Sequence, residues 1–218
     1  YLVCVDGKSK GVFETLPDEY KNLPLKDYGD KLIIPGMVDL HIHAPQYAFR
    51  GMCMDLELMD WLNQYTFPEE EKYEDLEYAN KAYNIFVEAI KKSSTTRTCI
   101  FATRHRYATE LLMEKMEKSG LVSYVGKVNM DREASDGLVE ESANMSAYVT
   151  FGWINSVKDK YVNTKPILTP RFIPCCTDQL MEELREIQMA YGIPVQSHLS
   201  ESKSEIEFVK FLRPNNKF

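Results

Sequence analysis

The sequence predicts an α/β protein of repeated βα units arranged around a parallel sheet. After Lys31, short apolar runs of strand character alternate with longer segments of helical period, the pattern that parallel sheets leave in a sequence. Five runs succeed one another: Leu32 to His43 (interrupted by Pro35-Gly36), Thr95 to Ala102, Val122 to Met130, Pro166 to Thr169 and Pro194 to His198. They leave roughly 37 residues per unit, so eight units would need about 296 residues. The 218-residue chain, with about five βα units, therefore stops well short of a closed (β/α)8 TIM-type barrel: either the barrel is open or the sequence is cut.

The first 30 residues differ in character. Tyr1 to Val5 is a short apolar stretch, Asp6-Gly7 is a turn signal and a second lies around Gly11 to Phe13, which predicts small antiparallel strands. Residues 1–30 and 31–218 are thus expected as separate units. Glu69 to Lys92 carries apolar or aromatic residues at Tyr73, Leu76, Ala79, Ala82, Tyr83, Phe86, Ala89 and Ile90, a 3.6-residue period that predicts one amphipathic helix. Pro68 fixes φ at its start, Glu69 to Glu71 suit the N-terminal end of its dipole, and Lys91 and Lys92 suit the other end. A helix over Ala108 to Lys118 is expected to end before Gly120. Another over Asp178 to Tyr191, with Thr177 as N-cap, should end before Gly192 and Pro194.

Apolar residues make up 44% of the chain and charged residues 27%, which excludes a disordered or low-complexity protein. A net charge of −7 and a pI near 5.2 give no footprint for a phosphate backbone, so nucleic acid is not expected as a partner. No uncharged apolar run approaches the roughly 20 residues that span a bilayer, and no membrane association is expected. Five cysteines, odd in number and without a CxxC pair, suit a reducing cytoplasm. The chain opens at Tyr1 with neither an initiator Met nor an export signal, which suits a trimmed sequence rather than an exported one.

Four histidines occur, and three fall at the C-terminal ends of expected strands. His41 and His43 lie two apart on a strand and must project from one face, so they can hold one metal together; by themselves they could equally be two solvated imidazoles. His198 ends the fifth run, and the C-terminal end of barrel strands is where active-site groups collect. Three imidazoles with one open position describe a catalytic zinc site, at which the pKa of water falls to roughly 7. Glu201, three residues after His198, could carry protons beside the metal, or could be a helix N-terminal carboxylate. His105, flanked by Arg104 and Arg106, has no partner at ligand spacing and is expected as a solvated loop residue.

The sequence around these histidines resembles a known family. Pro35-Gly36-Met37-Val38-Asp39-Leu40-His41-Ile42-His43 is similar to the first-strand signature of the amidohydrolase superfamily, metal-dependent barrels that hydrolyse C–N bonds. More specific are the continuation through Ala44-Pro45-Gln46-Tyr47-Ala48-Phe49-Arg50-Gly51, the stretch Leu58-Met59-Asp60-Trp61-Leu62, and the stretch Tyr65-Thr66-Phe67-Pro68-Glu69-Glu70. With Val125 to Asp131, Thr169-Pro170-Arg171-Phe172 and Gln196-Ser197-His198-Leu199-Ser200-Glu201, they resemble the guanine deaminase family within that superfamily.

The resemblance implies a barrel with a small β-sandwich formed from both termini, to which residues 1–30 would contribute strands. It implies one zinc per active site, held by His41, His43 and His198, with Glu201 as proton shuttle and Gln46, Arg171 and Phe172 holding the purine. The implied reaction turns guanine and water into xanthine and ammonia. A guanidinium at Arg171 can address O6, Gln46 offers both donor and acceptor, and Phe172 offers apolar contact to the flat ring. The alternatives are a surface ion pair for Arg171 and an ordinary core position for Phe172. The family also uses a histidine after strand six and an aspartate after strand eight; no histidine follows His198. Residues 1–218 alone are therefore expected to hold metal weakly and to show no turnover. Other readings are an amidohydrolase for a different purine, a pyrimidine or a pterin, or a non-catalytic fragment. The family implies a possible homodimer.

Overall fold

Proline has no amide hydrogen to give to a ladder, and in the computed structural model the first barrel strand starts beyond Pro35, at Met37 rather than Leu32. The structure describes residues 1–215. They divide into two units, Tyr1–Pro35 and the chain from Gly36 onward. In the first unit β1 (Leu2–Val5) and β2 (Lys8–Val12) pair antiparallel. Asp6 and Gly7 between them both take positive φ, 52° and 72°, as a two-residue hairpin turn requires. The second expected turn does not form: Gly11 pairs with Val3 inside the ladder, and a bulge between Val3 and Cys4 absorbs the extra residue.

In the second unit β3 (Met37–His43), β4 (Thr95–Phe101), β5 (Val122–Gly126) and β7 (Thr164–Pro166) form a parallel sheet in that order. Two further short strands, β6 (Val128–Asn129) and β8 (Thr169–Pro170), pair parallel with each other. The expected strand over Val122 to Met130 is thus two pieces, separated at Lys127. That side chain is fully buried and donates to the Glu140 carboxylate at 2.6 Å. The run expected over Pro166 to Thr169 likewise straddles β7 and β8. Pro194 to His198 is no regular strand but lies parallel to its neighbour, with Leu168 N on Pro194 O (3.0 Å), Gln196 N on Leu168 O (2.9 Å) and His198 N on Arg171 O (3.0 Å). Successive parallel neighbours in chain order match the opening units of a (β/α) barrel.

The helices are α1 (Leu58–Trp61), α2 (Phe67–Glu71), α3 (Leu76–Lys91), α4 (Arg106–Ser119), α5 (Ala143–Val157), α6 (Asp178–Tyr191) and α7 (Lys203–Leu212). The single helix expected over Glu69 to Lys92 breaks at Asp75, whose extended backbone and side chain cap α3 by accepting from Glu77 N (2.8 Å) and Tyr78 N (3.3 Å). Its periodic residues Ala79, Tyr83, Phe86 and Ile90 are buried as their spacing requires. Gly120 and Gly192 end α4 and α6 in the left-handed conformation. Helix α5 has no sequence counterpart above, because its inner face includes Ser146 and Thr150, whose hydroxyls meet the buried Asn129. The main core lies between the parallel sheet and α3 to α6, around Phe86, Leu112, Trp153 and Leu184.

Gly126 ends β5 where the next strands press closest. A Cβ there would lie 1.8 Å from Thr169 Oγ1 and 2.9 Å from Gln196 Nε2. Gly126→Ala is expected to cost about 1–3 kcal/mol by overpacking, measured as a lowered urea midpoint at unchanged slope.

Candidate active site

Strand alternation puts His41 and His43 on one face of β3, and the parallel docking of Pro194 to His198 brings a third imidazole to them. The candidate ligand nitrogens of His41, His43 and His198 all lie within 4.8 Å of one another. Nε2 of His43 and Nε2 of His198 are 2.9 Å apart. His198 Nδ1 lies 2.7 Å from the carbonyl oxygen of Arg171. A carbonyl only accepts, so Nδ1 carries the proton and the Nε2 lone pair faces the centre of the trio. Beneath them the fully buried Phe101, from the end of β4, has its ring 4.4–4.8 Å from each imidazole.

Burial is the main cause holding the His43 pKa well below its usual range, aided by Arg171, His198 and His41. Burial likewise lowers His198 to about 4, with Arg171 and His41 adding to the effect against the opposing hydrogen bond to the Arg171 carbonyl. Both rings are neutral at pH 7, the form that ligates metal. Donors about 2.0–2.1 Å from a tetrahedral zinc stand roughly 3.3 Å apart, so small ring movements suffice for the trio to fit that ion. Nδ1 of His43 is buried with no hydrogen-bond partner among the described residues.

A cavity of about 660 Å³ opens beside the trio, lined by Gln46, Trp61, Leu62, Arg171, Phe172 and Glu201 among others. Gln46 lies on the short helical turn Pro45–Phe49 that follows β3. Arg171 is not a surface residue: it is 2% exposed, and its Nη1 and Nη2 donate to the two carboxylate oxygens of Glu70 at 2.7 and 3.0 Å. Burial lowers the Arg171 pKa, but the Glu70 carboxylate more than offsets this and holds it above its usual value. Phe172 is both core and cavity wall, packed with Phe67, Phe101, Met130 and Cys175.

Glu201 sits exposed at the cavity rim and is not part of a helix. Ser202 caps α7, and the first-turn acid is Glu205. The buried Glu205 carboxylate accepts from the backbone amides of Ser200 (3.2 Å), Glu201 (2.5 Å) and Ser202 (3.4 Å), and it holds the turn in which Ser200 takes a positive φ of 56°.

His105 departs from its expected solvated state. It is half-buried just before α4, its Nε2 is buried and unpartnered among the described residues, and burial first, then Arg104 and Lys127, lowers its pKa to about 4. It does not join the other three histidines. Phe101, Trp61, Leu62 and Glu70 are among the residues at the site to which no role was assigned from sequence. Trp61, Leu62 and Glu70 fall inside quoted motifs, whereas Phe101 gave no signal beyond a strand end.

The amidohydrolase family matches residues 32–213 of the sequence. The chain belongs to that family. This amidohydrolase is 43% identical over 189 residues to a guanine deaminase of Dictyostelium discoideum, covering 86% of the chain and 42% of the relative. A crystal structure of guanine deaminase from C. acetobutylicum with bound guanine superposes with a TM-score of 0.95 at 46% identity, over 100% of this chain and 52% of that one. An adenosine deaminase from Xanthomonas campestris with bound zinc, 20% identical with a TM-score of 0.67 over 83% of this chain and 39% of that one, shows the same fold. The chain spans about half the length of the relatives it matches. Amidohydrolases are generally metal-dependent, in keeping with the convergent imidazoles.

The unfolded chain takes up a proton on His105 below its usual pKa of 6.5, whereas the folded chain refuses it until about 4. Stability from this group is therefore lost as pH falls from 6.5 towards 4 and is level below that. Denaturant midpoints of His105→Asn should fall less steeply over that interval than those of the unsubstituted protein.

Proposed function

We propose that this chain supplies the zinc-binding and purine-binding half of a deaminase that converts guanine and water to xanthine and ammonia. The observation that carries the reading is the convergence of three imidazoles, two of them held neutral, beside a cavity lined by Gln46, Arg171, Phe172 and Glu201. His41, His43 and His198 would hold one zinc, which lowers the pKa of bound water to about 7 and so makes a nucleophile at neutral pH. The identities to guanine deaminases over 86% or more of the chain support the choice of substrate.

The chain's own residues orient the purine and move its proton. Arg171 donates to O6, Gln46 meets the remaining polar edge with its amide, and Phe172 packs on the ring. Attack at C2 forms a C–O bond, and Glu201 takes the proton released from water and passes it to the neighbouring ring nitrogen. Collapse of the tetrahedral carbon then moves the remaining C2–OH proton, again through Glu201, onto the exocyclic amino nitrogen, breaks the bond from C2 to that nitrogen, and leaves a C2 carbonyl and ammonia. Since the chain spans about half of its relatives' length, a further histidine and an aspartate would come from the rest of the fold. The β1–β2 hairpin would be part of a small β-sandwich, the remaining units would close the barrel, and the protein could act as a homodimer. The five cysteines are all free, which supports a reducing cytoplasm as its location. No helix among the described residues is long and apolar enough to cross a membrane.

Elemental analysis should find about one zinc per full-length chain, and absorbance should follow guanine turning to xanthine. Another purine, a pyrimidine or a pterin turning over in its place would reassign the substrate. Glu201→Gln should keep its zinc and lose kcat by about 100-fold to 10,000-fold; an unchanged kcat removes Glu201 from the proton path. His198→Ala should lose zinc. Residues 1–218 alone should bind zinc weakly without turnover, and robust activity from them would show the half-site account to be wrong.

A further inference from the structure

The stretch Tyr65-Thr66-Phe67-Pro68-Glu69-Glu70 has no part in the chemistry above, yet it forms the seat of Arg171. Pro68 sits in the first turn of α2, where its fixed φ suits the helix, and the helix presents two adjacent glutamates to different partners. Glu69 pairs with Lys72 at 2.6 Å and accepts from the Tyr78 hydroxyl. Glu70, fully buried, takes the two-pronged contact with Arg171, while the fully buried Phe67 ring lies 5.0 Å from the guanidinium carbon.

A buried carboxylate–guanidinium pair gives no stability that a well-packed apolar pair of similar volume could not give, so its presence calls for a reason at the cavity. Two of the five guanidinium N–H groups are taken by Glu70. Nη1 also lies 3.7 Å from the Met130 sulfur, and the side chain lines the cavity, so it offers the donors left over there with its charge already compensated at 2.7–3.0 Å. A compensated donor satisfies a neutral carbonyl oxygen. It gives little attraction to an anion, which would face the Glu70 carboxylate across the guanidinium.

We propose that Glu70, acting through Arg171, is the positioning residue that makes the cavity prefer a purine with a neutral carbonyl at C6 over one carrying hydrogen or an anion there. The inference rests on reading the cavity as a guanine site. The test measures inhibition constants against guanine turnover in the full-length, zinc-loaded protein. The three inhibitors are hypoxanthine, with a carbonyl at C6, purine, with hydrogen there, and purine-6-carboxylate, with an anion there.

Glu70→Gln should weaken hypoxanthine about 10- to 100-fold and leave purine within about twofold. It should tighten purine-6-carboxylate about tenfold, because Arg171 then carries an uncompensated charge. Zinc content should not change. Equal weakening of all three compounds marks a packing lesion and overturns the proposal, as do three unchanged constants. If Glu70→Gln does not fold, the double variant Glu70→Met, Arg171→Met removes both charges at once. It should bind hypoxanthine no better than purine, and a surviving preference for hypoxanthine overturns the proposal. An unsubstituted protein that does not deaminate guanine, or binds hypoxanthine and purine alike, brings down the guanine reading and this inference with it. If it does both and Glu70→Gln behaves identically, the role of Glu70 alone is refuted.

Discussion

Three backbone hydrogen bonds between Leu168–Arg171 and Pro194–His198 hold the site together. They make the last described barrel segment run parallel to its neighbour without a regular ladder, and they bring His198 to 2.9 Å from a histidine 155 residues away. The same Arg171 carbonyl accepts from the His198 backbone and from its ring, so one peptide unit sets both the height of the strand end and the tautomer of the imidazole. Arg171 then points its side chain into the cavity wall and onto Glu70. The placement of the third imidazole and of the guanidinium in the cavity wall are therefore built on a single residue, and a shift of its backbone would disturb both.

Much of this was legible in the sequence because period and position carry it. His41 and His43 could be paired from strand alternation alone, and His198 from its place at the end of an apolar run. The ends of α4 and α6 were legible in Gly120 and Gly192, since a left-handed residue has one cheap identity. What escaped was decided by partners distant in the chain. Asp75 breaks a helical period by capping, Lys127 breaks a strand to reach Glu140, and α5 hides its inner face behind hydroxyls that only Asn129 explains. His105 sits among arginines in sequence, but packing buries its ring atom. Arg171 was legible as a cavity residue and not as half of a buried pair, because Glu70 lies 101 positions earlier.

The electrostatics of the centre follow from where charge is allowed. Two imidazoles stay uncharged because they are buried beside a cation, and that cation is tolerated because a carboxylate faces it. Glu201 is left exposed at the rim, on a turn that Glu205 clamps through three amides. The exposed Glu201 carboxylate and the imidazole trio, two of whose rings are partly buried, thus occupy environments of opposite character beside one cavity.

Phe101 seals the underside of the imidazole trio. With that ring fully buried, the imidazoles rest on packed protein on one side and face the cavity on another. A flat heterocycle seated in that cavity would cover the imidazoles on that side, so an ion held by them should exchange with chelators more slowly while the cavity is filled.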